Sequence, residues 1–103
     1  MNGGWRYDFE WDPAKAKQNL RKHGVSFERA ATVFLDPNAL SIFDTKHSSG
    51  EDRWITLGTD RQGVMLVVSH TFHEAREQTA SIRIITSRKA TRAEHRQYGK
   101  QRP

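Results

Sequence analysis

Two proline-bearing boundaries, Asp12-Pro13 and Asp36-Pro37, enclose a stretch that reads as a pair of short helices, and everything else in the chain must pack around that pair. Aspartate at position 12 caps free amides, and proline at the first helical position lacks only an N–H that has no partner there. This helix should stop at Gly24, the residue best able to take the left-handed conformation past a helix end. Ser26 caps the next helix, FERAATVFL, whose Phe27, Ala30, Ala31 and Phe34 recur at helical spacing and form an inward face. Ahead of the pair, Tyr7 to Trp11 alternates aromatic and acidic residues, as a short strand does. Behind it the pattern turns to β. Ala39 to Asp44 and Arg53 to Thr59 are strands, Thr45 to Asp52 is a polar loop, and Asp60 to Gly63 turns the chain into the strand Val64 to Phe72. His73 to Ala80 reads as a polar connection rich in helix formers, and Ser81 to Thr86 as an apolar strand. Ser87-Arg88-Lys89 is expected to be a turn, after which Thr91-Arg92-Ala93-Glu94 forms a capping box that opens the last helix. The expected order is β-α-α-β-β-β-β-α. This is an α+β fold with a small, mainly antiparallel sheet, two N-terminal helices and one basic C-terminal helix, the helices covering one face.

A chain of 103 residues suits a single domain over 1–103, with an ordered core from about residue 7 to 98. Without cysteine, neither a disulfide framework nor a thiolate metal site is available. The longest apolar run, Val64 to Val68, is too short to cross a bilayer, and MNGGWRYDFE lacks the regions of a signal peptide, so a cytoplasmic setting is expected. The net charge of +5 is unevenly distributed: 11 basic residues balance 11 acidic ones up to Ser87, whereas 6 basic residues face only Glu94 from Arg88 onward. Such a run is either a solvated helix face or a surface for a polyanion, nucleic acid first and an acidic protein second.

Phosphate-binding glycine loops and a nucleophile elbow are absent from the sequence. His70-x-x-His73 has no obvious third ligand, so no metal or other cofactor is expected. The remaining candidates are His47, Glu51, Arg53, Arg83, Arg88, Lys89 and Tyr98. Cleaving RNA without a metal requires help in removing the 2′-hydroxyl proton, cations on the phosphate, and protonation of the leaving oxygen; histidine, glutamate, arginine and tyrosine can fill those roles. Arg83 in an apolar strand needs an anionic partner, either a carboxylate such as Glu51 or Glu10, or a bound phosphate. Arg88 and Lys89 precede a helix start, where amides and dipole favour an anion. Lys89, Arg92 and Arg96 form a basic ridge. Tyr98 either packs its ring or presents a hydroxyl. Trp5, Trp11 and Trp54 are candidates for base stacking or for core packing.

FEWDPAKAKQNLRKHGVSFERAATVFLDP, HSSGEDRWITLG and IRIITSRKATRAEHRQY, in that order and spacing, resemble the BrnT toxins of bacterial type II toxin–antitoxin systems. The resemblance implies a RelE-like fold and a metal-independent endoribonuclease that suppresses translation. It also implies neutralisation by a cognate ribbon-helix-helix antitoxin, with operator DNA bound only through the complex. It carries phosphate binding to Arg53, Arg83 and Arg88, and proton transfer to His47, Glu51 or Tyr98, with Ser87 in the same matching strand. Lys22-His23-Gly24 also matches, at a helix end that favours a structural role. The segment SHTFHEAREQTA is longer than the hairpin usual in that family, and Gly99 stands where an acid is common. The alternative is a non-catalytic module that uses the basic helix to hold nucleic acid or an antitoxin.

Overall fold

The structure, a computed structural model, describes residues 6–100; Trp5 lies outside the described residues. Local capping chemistry sets the first helices. Helix α1 (Pro13–His23) begins where Asp12 accepts the Ala14 N–H and ends at Gly24 with φ 69°. Helix α2 (Phe27–Thr32) begins where Ser26 accepts the Arg29 N–H, and tightens into a 3₁₀ turn over Val33–Leu35. Strand β1 (Arg6–Glu10) precedes them; β2 (Leu40–Phe43), β3 (Arg53–Thr59), β4 (Met65–Thr71), β5 (His73–Arg76) and β6 (Thr79–Lys89) follow, and α3 (Arg92–Gly99) comes last. The sheet order is β1-β6-β4-β3-β2, with β5 also on β6. All pairings are antiparallel except β1 with β6, which runs parallel from Arg6↔Thr79 to Glu10↔Arg83.

Three expectations are corrected. The polar segment after residue 72, rich in helix formers as it is, is not a mere connection: it forms β5, turned by Gln78 at φ 58° into β6. Strand β6 does not stop at Thr86 before a turn, because Leu66↔Lys89 and Val67↔Arg88 pairing with β4 continues the ladder through Lys89. Pairing overrides local preference here, as is usual for strands. The helices also do not share one face. Leu66 and Val68 of β4 join Val25, Phe27, Ala30, Val33, Ile82 and Ile84 beneath α1 and α2, whereas Met65 and Val67 join Leu57 and Tyr98 of α3 on the opposite side. The unbroken run VMLVV is the mark of a strand buried on both faces.

Three polar ties hold these layers. The buried Asn19 amide donates to the carbonyls of Val25 (2.9 Å) and Ser87 (2.8 Å) and accepts the Ser87 N–H (3.1 Å), docking α1 on β6. Arg29 donates to Asp60 at 2.8 and 3.0 Å, linking α2 to the β3–β4 turn. A relay crosses β2, β3 and β4: Ser41 Oγ lies 2.7 Å from Thr56 Oγ1, which lies 2.6 Å from His70 Nε2, while His70 Nδ1 meets the Thr71 carbonyl at 2.9 Å. Trp11 packs edge-on against Phe27, and Trp54 against Phe43.

Replacing Asn19 by alanine strands three buried backbone groups, so urea unfolding of Asn19→Ala should show a loss of about 3 kcal/mol. Burial pulls the His70 imidazole down to about 4, with its Thr71 hydrogen bond opposing the shift. The unfolded chain, with His near 6.5, therefore binds the proton first; this contribution is complete above pH ~6.5 and lost as pH falls toward ~4, roughly 3 kcal/mol in all. Denaturation midpoints measured between pH 7 and 4.5 should fall accordingly, and His70→Gln should flatten that fall while lowering stability at pH 7.

Candidate active site

Strand register decides which side chains meet. Arg53 opens β3 opposite Thr71 of β4, and the Arg83 N–H donates to Thr71 Oγ1 at 3.1 Å. A bulge at Ile85 shifts the β4–β6 pairing from Ser69↔Thr86 to His70↔Ile84. Residues paired across a sheet share a face. Arg53, Thr71 and Arg83 therefore form a row on the face that α3 covers further along.

The loop between β2 and β3 is closed at its neck. The Asp44 N–H donates to the Arg53 carbonyl at 2.9 Å, and Ser48 Oγ, 2.5 Å from the Asp44 carbonyl, accepts the Arg53 N–H at 3.0 Å. Asp44 also caps the short 3₁₀ turn Thr45–His47 and holds His47 Nδ1 at 2.9 Å. A carboxylate only accepts, so Nδ1 carries a proton, and the neutral tautomer that fits this contact has its lone pair on Nε2. The His47 side chain is 59% exposed, so this basic nitrogen belongs to an accessible ring.

Arg83 is ion-paired with Glu51, one of the two carboxylates its strand position suggested. Together with Glu10, Asp52, Thr71 and His73, the pair lines a cavity of about 380 Å³. No carboxylate of the described residues pairs with Arg53. His47, Glu51, Arg53 and Arg83 thus gather at one end of the sheet.

The other candidates lie at the far end of β6, roughly 15 Å along the strand from Arg83. Arg88 makes two parallel bonds of 2.9 Å with Glu94, which also accepts the Thr91 N–H at 2.7 Å. The Arg88 hydrogen bonds pull the Glu94 carboxyl down to about 2, against its partial burial, and raise the Arg88 guanidinium in turn. Arg88 is therefore not the unpaired cation its place before a helix suggested. A cleft of about 200 Å³ beside it is floored by Ile55, Leu57, Val67, Ser69 and Thr86. Lys89, Arg92 and Arg96 are exposed. Tyr98 is 5% exposed, and its hydroxyl donates to Asp36 at 2.7 Å. Burial alone would raise the Asp36 carboxyl, yet hydrogen bonds from Thr59, Tyr98 and Asn38 hold it below its ordinary value. Ser87, buried against α1, faces away from both groups. Both ring nitrogens of His70 are engaged within the sheet, and among the described residues no three His, Asp or Glu side chains gather as a metal requires.

Asp44, Ser48 and Thr71 were not foreseen. The Asp44-x-x-His47 spacing was readable as a helical-turn pair, whereas Thr71 becomes significant only once the register is known.

The chain was compared with known proteins. No curated protein sequence matches it significantly. The crystal structure of the Brucella abortus ribonuclease toxin BrnT superposes with a TM-score of 0.60 at 20% identity, covering 82% of this chain and 96% of that one. At that identity the likeness establishes the shared fold. The family model described as the ribonuclease toxin BrnT of type II toxin–antitoxin systems matches residues 11–94, spanning α1, α2, strands β2 to β6 and the start of α3. The chain thus belongs to the BrnT family of ribonuclease toxins of type II toxin–antitoxin systems.

Proposed function

We propose that the chain is a metal-independent endoribonuclease whose catalytic centre is the His47, Glu51, Arg53 and Arg83 cluster. The observation that carries this reading is the row of Arg53 and Arg83 on one sheet face, beside a loop that holds His47 with its Nδ1 on Asp44. His47 Nε2 takes the proton of a ribose 2′-hydroxyl, the 2′-oxygen bonds to phosphorus, and the bond from phosphorus to the 5′-oxygen breaks. The leaving oxygen takes a proton from solvent, giving a 2′,3′-cyclic phosphate and a 5′-hydroxyl. Arg53 and Arg83 stabilise charge on the non-bridging oxygens. Glu51 occupies Arg83 in the free protein, and the RNA phosphate takes its place. Lys89, Arg92 and Arg96 of the other end carry the RNA backbone, with Arg88 tied to Glu94 as the hinge of that surface. Tyr98 supports the groove through Asp36. Translation stops as RNA is cut, in the cytoplasm, until a cognate ribbon-helix-helix antitoxin covers the basic face; operator DNA is met only through that complex. No helix among the described residues is long and apolar enough to cross a membrane.

A second reading, a non-catalytic binding module, draws on the exposed Lys89, Arg92 and Arg96 alone. It predicts salt-dependent RNA binding without scission, with a slope of about −0.7 per phosphate neutralised.

Purified protein incubated with a structured RNA in excess EDTA should cleave it, and His47→Ala and Arg83→Ala should each lower the rate by about 100-fold or more. Intact RNA under those conditions, with binding retained, selects the second reading. Tyr98→Phe should keep the rate within a few-fold while costing about 2 kcal/mol of stability, since it removes a hydrogen bond to a charged group. A normal unfolding midpoint with lost cleavage would return the Tyr98 hydroxyl to the chemistry.

A further inference from the structure

On the sheet face opposite Arg53 and Arg83, Tyr7, Phe34, Trp54, Phe72, Ser41 and His70 line a cavity of about 240 Å³. Four of the six are Tyr, Phe or Trp, and at the polar wall stands the end of the buried relay. Its direction follows from donor chemistry. The Thr71 carbonyl can only accept, so His70 Nδ1 carries the proton and Nε2 of the neutral ring accepts. The single Thr56 hydroxyl hydrogen goes to Nε2, so in the 2.7 Å contact it is Ser41 that donates to Thr56. Ser41 Oγ then has only lone pairs left to offer. Phe72 belongs to this cavity and also to the one containing Arg83 and Glu51. It sits just past Thr71, where β3 has already ended, so at this corner the two faces of the sheet are one side chain apart.

We propose that this cavity is a base-selecting subsite: it takes one base of the RNA whose phosphate lies at Arg83, stacks it among Trp54 and Phe72, and uses Ser41 to favour an amino group over a carbonyl at the base edge, hence, between the two pyrimidines, cytosine over uracil. The assignment of RNA and of the phosphate position rests on the proposed ribonuclease reading; the aromatic cavity and the acceptor at Ser41 do not. Stacking on aromatic side chains is available to every base and gives affinity. Discrimination comes from Ser41, because a carbonyl oxygen turned toward an acceptor finds no hydrogen to share.

The test is a titration of the isotope-labelled protein with cytidine 5′-monophosphate and with uridine 5′-monophosphate, read by NMR. Saturable shifts are expected at Ser41, Trp54 and Phe72, with the cytidine nucleotide bound about fivefold more tightly, the worth of one hydrogen bond. Ser41→Ala should bring the two affinities together while the Trp54 shifts persist. Phe72→Ala, at an exposed position, should weaken both nucleotides by about tenfold. Absence of shifts at these residues with either nucleotide overturns the subsite, whether or not RNA is cleaved. Equal affinities in the unaltered protein, or a cytidine preference that survives Ser41→Ala, overturn the role of Ser41. Shifts in a protein that cuts no RNA would leave the subsite standing and remove the ribonuclease reading alone.

Discussion

The pairing of β6 with β4 is the interaction on which the rest of the molecule depends. It sets β4, whose apolar side chains serve both faces, beside β6 in the interior of the sheet, so α1 and α2 can dock on one side and α3 on the other. It also carries β6 past its apolar stretch as far as Lys89. One continuous strand therefore delivers Arg83 to the cavity at one end and Arg88 to the start of α3 at the other. The bulge at Ile85 keeps Ile82 and Ile84 inward while Arg83 and Arg88 both reach the α3 side. An unbulged strand would put Arg83 and Arg88 on opposite faces, since they are an odd number of residues apart.

What could be read in advance was whatever local chemistry determines. Asp12, Gly24, Ser26 and Thr91 act on amides and carbonyls within a few residues of themselves, and the helix boundaries they imply are those observed. The segment 73–80 and the strand beyond Thr86 depend on a partner elsewhere in the chain, and their own residue preferences point away from strand. Covering of both faces was encoded in VMLVV, but a short apolar run does not say which helix covers which side. At the site, Glu51 was one of two partners foreseen for Arg83. The Arg88–Glu94 pair was missed because Glu94 had already been given a role in the capping box, although a carboxylate with two oxygens can cap a helix and bind a guanidinium at once.

Charge counted along the chain also differs from charge arranged in space. The tail holds the whole positive excess by number, yet Glu94 offsets Arg88 within it. Lys15, Lys17, Arg21 and Lys22 meanwhile line α1 without an acidic residue on that helix, their balancing carboxylates lying on other elements. A neutral segment by count is thus a basic surface by position, and the protein presents cations from both layers of helices.

The neck of the loop between β2 and β3 has a consequence for how binding energy is used. With Ser48 bridging the Asp44 carbonyl and the Arg53 N–H, and Asp44 holding the His47 ring, the loop loses its conformational freedom when the protein folds. An incoming RNA does not have to order it again. Under the proposed catalytic reading, affinity gained from the basic surfaces is then not drained by loop ordering and remains available to hold the reacting ribose and phosphate in line.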